Sequence, residues 1–152
     1  MIYRLIIFLI LNFGALALGG LFTNNGVSSV WYAELNKAPW TPPGWVFGAA
    51  WTFIMISFSF YIAYLWPVQN NKFLLVMLFA LQWLLNVMWN PVFFYYHNAS
   101  VGLIIISLLT LLIAFMVFFF SPLMKAKTLL LLPYFLWLII ATSLNAYIFL
   151  KN

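Results

Sequence analysis

Few side chains in this sequence can do acid–base, nucleophilic or metal chemistry. Glu34 is the only side-chain carboxylate, His97 the only imidazole, and cysteine is absent. A paired-carboxylate hydrolase needs two acids, and a structural or catalytic metal site needs a cluster of ligands; neither can be assembled from this inventory. A Ser–His–Asp arrangement fails as well, because Glu34 and His97 fall in or beside loops and no acid lies within the apolar segments to orient the imidazole. Thiol chemistry and disulfides are excluded. His97 is read as a solvated turn residue. No ionisable residue sits where a proton relay through a membrane would need one.

What remains is a chemistry of amides and aromatic rings. Gln82, Asn86 and Asn90 recur at i, i+4 and i+8 with Trp89 and Phe93 beside them, a spacing that puts the amides on one stripe of a helix. An amide facing lipid would leave its hydrogen-bonding groups unpaired, so the stripe is expected to face inward. It serves either to hydrogen-bond neighbouring helices or to hold a ligand. Trp137, Ala141 and Asn145 repeat the spacing nearer the C-terminus, flanked by Thr142 and Ser143. Trp51, Met55 and Phe58 offer a third, soft and aromatic wall. Together these faces suit a flat apolar guest, or an aromatic core with no guest at all.

The elements that must position these residues follow from composition. Of the 152 residues 68% are hydrophobic, 5% are charged and 22% are aromatic. A chain with so few charges cannot cover a water-facing surface. Five apolar stretches, about Ile2–Leu21, Trp45–Leu65, Phe73–Tyr95, Val101–Phe120 and Leu129–Leu150, are each long enough to cross roughly 30 Å of hydrocarbon at about 1.5 Å per residue. The expectation is an all-α integral membrane protein, one domain over residues 1–152, built as a bundle of five transmembrane helices. The first connection, Phe22–Gly44, is long and rich in Trp, Pro, Asn and Gly, and reads as a packed lid. Its segment Pro39-Trp40-Thr41-Pro42-Pro43-Gly44 cannot be helical.

Six basic residues give a net charge of +5, but they are scattered at segment ends, the pattern of membrane anchors and not of a nucleic-acid footprint. Five spans put Arg4, Lys72, Lys125 and Lys127 on one face and Lys37, Glu34 and Lys151 on the other, which favours a cytoplasmic N-terminus. A rival reading of Arg4, the first apolar run and Ala15-Leu16-Ala17 is a secretory signal, although the run is long for one. Ala15 and Gly19 form a small-xxx-small pair, and Gly14 and Gly20 smooth the same helix, as a dimer seam or as internal packing. Leu144, Tyr147 and Lys151 fit a proposed cholesterol-contact pattern that is too loose to establish sterol binding.

Several motifs, in order and at matching spacing along the whole chain, resemble the translocator protein family, also called tryptophan-rich sensory protein or peripheral-type benzodiazepine receptor. They are Trp31-Tyr32-x-x-Leu35-x-Lys37, Trp40-x-Pro42-Pro43 and Trp51, then Asn86-x-x-Trp89 with Phe93-Phe94, then Pro133-Tyr134-x-x-Trp137 with Ala141 and Leu144-Asn145. The chain departs from the family pattern at Ala38, where a proline is usual, at Ile54-Met55, where a Leu-Tyr pair is common, and at Ser59 in place of glycine. The missing tyrosine removes a possible polar contact with a ligand.

The resemblance implies a five-helix bundle, commonly a homodimer, that binds porphyrins, sterols and benzodiazepine-type ligands in a pocket beneath the first loop. Carried over, that pocket is lined by Tyr32, Trp40, Pro42, Pro43, Trp51, Asn86, Trp89, Asn90, Trp137 and Ala141. It implies no metal and no resident cofactor, the lipid bilayer and a porphyrin or similar flat molecule as partners, and a bacterial membrane as the location. The preferred function is a receptor, sensor or carrier for tetrapyrrole-like ligands. The alternatives are a light- and oxygen-dependent porphyrin-degrading enzyme using Trp51 and Trp137, and a structural or partner-binding membrane protein.

Overall fold

A backbone crossing hydrocarbon must bond to itself, and a helix does so within one segment. In a computed structural model describing residues 1–152, five helices long and apolar enough to span a membrane do this. They are α1 (Ile2–Val27), α3 (Gly44–Val68), α4 (Lys72–Asn90), α5 (Ala99–Met124) and α6 (Leu132–Lys151), with a short α2 (Val30–Glu34) in the first connection. A π-turn over Pro91–Tyr95 prolongs α4, and a 3-10 turn over Lys125–Leu130 joins α5 to α6.

Local chemistry sets the ends. Asn71 and Asn98 cap α4 and α5, their side-chain oxygens accepting from the backbone N–H of Leu74 at 2.9 Å and of Val101 at 3.0 Å. Ser29 does the same for α2 through the N–H of Tyr32. Pro43 leads into α3, and Pro133 sits in the first turn of α6, where a missing N–H carries no penalty. Pro91 removes one helical donor from the end of α4. The chain there widens into the π register, with the Tyr96 N–H reaching the Pro91 carbonyl at 3.0 Å.

Two ends differ from the sequence expectation. The first helix does not stop at Leu21 but runs through Thr23-Asn24-Asn25 to Val27, so the lid begins six residues later than Phe22. These polar residues stay helical because Thr23 Oγ1 bonds back to the Gly19 carbonyl and to Asn90 Oδ1, and Asn25 bonds to the Leu21 carbonyl. The fourth span likewise runs past Phe120 to Met124.

The helices form a ring in the order α1, α4, α5, α6, α3, with α3 returning to α1. The α5–α6 seam is the most extensive and the α3–α6 seam the sparsest. Phe58, Tyr61, Ile113 and Met116 are wholly buried at the centre. The first loop, the α4–α5 loop and the C-terminus share one end, tied by Asn36 to Asn152 and by a Trp31–His97 stack. Lys72, Lys125 and Lys127 lie at the other end, as the charge pattern predicts; Lys127 rests over Tyr64, and Lys72 donates to the Trp66 and Gln69 carbonyls at the end of α3.

Three small residues of α1, Ala15, Gly19 and Gly26, pack against the bundle interior. Ala15 and Gly19 are buried, and a Cβ on Gly19 would stand 2.6 Å from the Asn90 amide nitrogen. At Gly26 a Cβ would stand 2.4 Å from Phe94 Cβ, an atom that no rotamer change can remove. At Gly14 and Gly20 it would meet nothing within 4 Å. Gly26→Ala is therefore expected to destabilise the bundle by about 1–3 kcal/mol. Gly14→Ala and Gly20→Ala should be neutral or stabilise by up to about 1 kcal/mol. Thermal unfolding in detergent distinguishes them.

Candidate functional site

The α4 amides face the interior, as their spacing requires, and they divide into two kinds. Gln82 is 1% exposed and accepts from the Tyr134 hydroxyl of α6 at 3.0 Å. Asn90 donates to the Asn86 carbonyl at 2.9 Å and accepts from Thr23 of α1 at 2.6 Å. Both are structural ties between helices. Asn86 is 8% exposed, and its side-chain amide bonds to no protein group, while its backbone carbonyl accepts from Asn90.

Aromatic rings fill the sparse seam between α3 and α6. Trp51 meets Tyr134 edge-on at 5.9 Å, and Phe47 meets Trp137 edge-on at 5.4 Å. Ala141, one turn past Trp137, packs against the same core and leaves the space that a larger side chain would take. Trp89 joins this core to a second cluster nearer the first loop, stacking on Phe93 at 5.2 Å and meeting Phe94 edge-on at 5.6 Å.

Three buried polar atoms in this region have no hydrogen-bond partner: Trp89 Nε1, Trp137 Nε1 and Asn145 Oδ1. The other side of the Asn145 amide makes one long bond, Nδ2 to the Ala99 carbonyl at 3.4 Å. An unpaired buried donor or acceptor costs about 1–3 kcal/mol, and here two indole donors and one amide acceptor occur together. Trp89 and Trp137 belong to the expected lining; Asn145 was read only as part of the α6 stripe.

The first loop lies against α6 and the π-turn. Tyr32 tilts onto Phe94 at 5.7 Å, with Lys37 Nζ 4.6 Å from its ring centre. Burial pushes the Tyr32 phenol above its ordinary value. Trp40 is 54% exposed; its indole donates to Ser143 Oγ at 3.1 Å and its ring meets Tyr147 edge-on. Pro42 and Pro43 bring the chain into α3, and the Pro43 carbonyl accepts from the Val46 N–H. Tyr32 and Trp89 thus share the Phe94 cluster, while Trp51, Trp137 and Ala141 share the core below. Trp40 covers the flank of α6.

A cleft of about 440 Å³ opens at the lid end, lined by Trp31, Leu35, Tyr96, His97 and Ile148 among others. None of the ten expected lining residues borders it. His97, expected as a solvated turn residue, is exposed at φ 53° but stacks on Trp31 at 4.2 Å.

Other residues in this polar network carried a weak signal or none. Asn12 is 1% exposed and donates to Ser59 of α3 at 2.8 Å; a lone amide in an apolar run is the sign that could have found it. Thr23 and Tyr134 gave no such sign. Tyr134→Phe is expected to lower stability by about 0.5–2 kcal/mol, since it strands the Gln82 oxygen. Adding Gln82→Leu should recover part of that loss in the same thermal unfolding measurement.

Comparison with known proteins bears on this arrangement. A model of the TspO/MBR family matches residues 6–150. The tryptophan-rich protein TspO of Archaeoglobus fulgidus is 36% identical over 136 residues, covering 88% of this chain and 87% of that protein. The tryptophan-rich sensory protein of Cereibacter sphaeroides is 32% identical over 115 residues, covering 76% and 72%. The translocator protein of Homo sapiens is 30% identical over 129 residues, covering 80% and 75%. With five membrane-length helices and a match over nearly its whole length, this chain is an integral membrane protein that belongs to the TspO/MBR family.

Proposed function

We propose that the protein is a membrane receptor or carrier for flat hydrophobic ligands of the porphyrin type, held between α3 and α6 beneath the first loop. The observation that carries this reading is the set of unpaired buried polar atoms, Trp89 Nε1, Trp137 Nε1 and Asn145 Oδ1, beside the unengaged Asn86 amide. A purely structural core would be more stable with those groups paired or absent. A guest bearing carbonyl or carboxylate oxygens could accept from the two indoles, and its apolar plane could lie against Trp51 and Trp137. The sparse α3–α6 seam supports the reading, because aromatic rings can turn aside there without breaking a hydrogen-bonded helix pair. So do the names of the relatives, one a sensory protein and one a translocator.

Protoporphyrin added in the dark to purified protein should quench tryptophan fluorescence saturably. Asn86→Ala and Trp137→Phe should each weaken binding about 5- to 50-fold, one to two lost hydrogen bonds' worth, with unfolding temperatures unchanged. No saturable quenching in the parent protein, or parental affinity in both variants, would overturn the assignment. Illuminating the same samples tests the degradative alternative, which requires a protein-dependent new absorption band that alters in Trp51→Phe or Trp137→Phe while binding persists.

A further inference from the structure

At the end of the molecule away from the first loop lies a second cleft, of about 300 Å³. It is lined by Tyr64 and Val68 of α3, Leu123 of α5, and Lys125 and Lys127 of the 3-10 turn. The two lysines stand at its rim in different ways. Lys127 Nζ sits 4.4 Å from the centre of the Tyr64 ring, a cation–π contact that fixes the ammonium at the rim. Lys125 has φ 51° and ψ −127°, a conformation that a residue with a Cβ adopts rarely and at some strain. That turn sends the chain sharply aside at the end of α5, where the Lys125 side chain joins the wall of the cleft.

Below the two ammonium groups the wall is apolar, and Val68 and Leu123 are 44% and 43% exposed. No protein group neutralises the lysines. The one side-chain carboxylate, Glu34, is at the opposite end of the bundle beside the first loop. Lys72 is already engaged with the Trp66 and Gln69 carbonyls. Two unneutralised cations beside an open apolar slot, at the depth where helices leave the hydrocarbon, are complementary to a molecule with an anionic head and an aliphatic tail.

We propose that this cleft binds an anionic phospholipid, its phosphate between Lys125 and Lys127 and one acyl chain along Val68 and Leu123. A free phosphate would use the charges but leave the slot unfilled, and a neutral lipid would fill the slot but bring no net charge. The inference is independent of any ligand in the bundle interior.

Delipidated protein in neutral detergent, titrated with phosphatidylglycerol and followed by native mass spectrometry, should retain one lipid per chain. Phosphatidylcholine with the same acyl chains should be retained at least about tenfold less well. Lys125→Gln and Lys127→Gln should each weaken retention about fivefold, and together about twentyfold. The Lys125→Arg/Lys127→Arg double variant, which keeps the charges, should bind like the parent and so separates lost charge from lost folding. Arg4→Gln, at the same end but outside the cleft, should change nothing. Equal retention of phosphatidylcholine would overturn the proposal, as would an Arg4→Gln loss matching that of either lysine variant. Displacement of the lipid by an equal concentration of inorganic phosphate would overturn it too, making the cleft a site for a free anion.

Discussion

Hydrocarbon offers a polar side chain nothing to bond with, so each one in a spanning helix must find its partner in the protein. The architecture follows that constraint around the ring. Asn12 joins α1 to α3 through Ser59, and Thr23 joins α1 to α4 through Asn90. Gln82 joins α4 to α6 through Tyr134, while Thr110 and Thr142 join α5 to α6 at 2.9 Å. Trp83 adds a bond from its indole to the Leu11 carbonyl of α1. Apolar packing between helices gains little over packing against lipid tails, so these few bonds and the close approaches at Gly19 and Gly26 select the register of one helix on another. The departures from pairing, at Trp89, Trp137 and Asn145 and at the unbonded Asn86 amide, stand out against these ties.

The legible part of the fold was the part set by length and hydropathy. All five spans fall where the apolar runs lie, and the charged residues divide between the two ends as their positions imply. What composition misplaced was the end of α1. Thr23-Asn24-Asn25 has the make-up of a loop, and the bond from Thr23 to Asn90, 67 residues away, joins the local bonds to Gly19 and Leu21 in keeping it helical. The π-turn after Pro91 was hidden for a related reason. A proline there was consistent with a kink or a stop, and the wider register depends on Phe93 and Phe94 packing against Trp89, Trp31 and Tyr32.

The candidate site was legible as residue types on helical stripes, and less so as an arrangement. The spacing of Gln82, Asn86 and Asn90 predicted a shared inward face, and the three do face inward, yet spacing could not tell the two bonded amides from the free one. That difference depends on Tyr134 and Thr23, whose roles are set by the neighbouring helices. The Trp31–His97 stack was beyond reach for the same reason, since it joins two loops 66 positions apart, 97 − 31, that meet only once the bundle has formed.

One helix, α6, touches both the deep aromatic seam and the surface loop. Tyr134 and Trp137 stand in the seam, while Ser143, Tyr147 and Asn152 hold Trp40 and Asn36 of the loop. The eleven residues from Trp137 to Tyr147 span about 15 Å of continuous helix, with no proline or glycine to absorb a displacement. Such a rod acts as a lever. A small tilt at its inner end would arrive at the outer end as a shift in the footing of the loop, because nothing between them can bend to take it up.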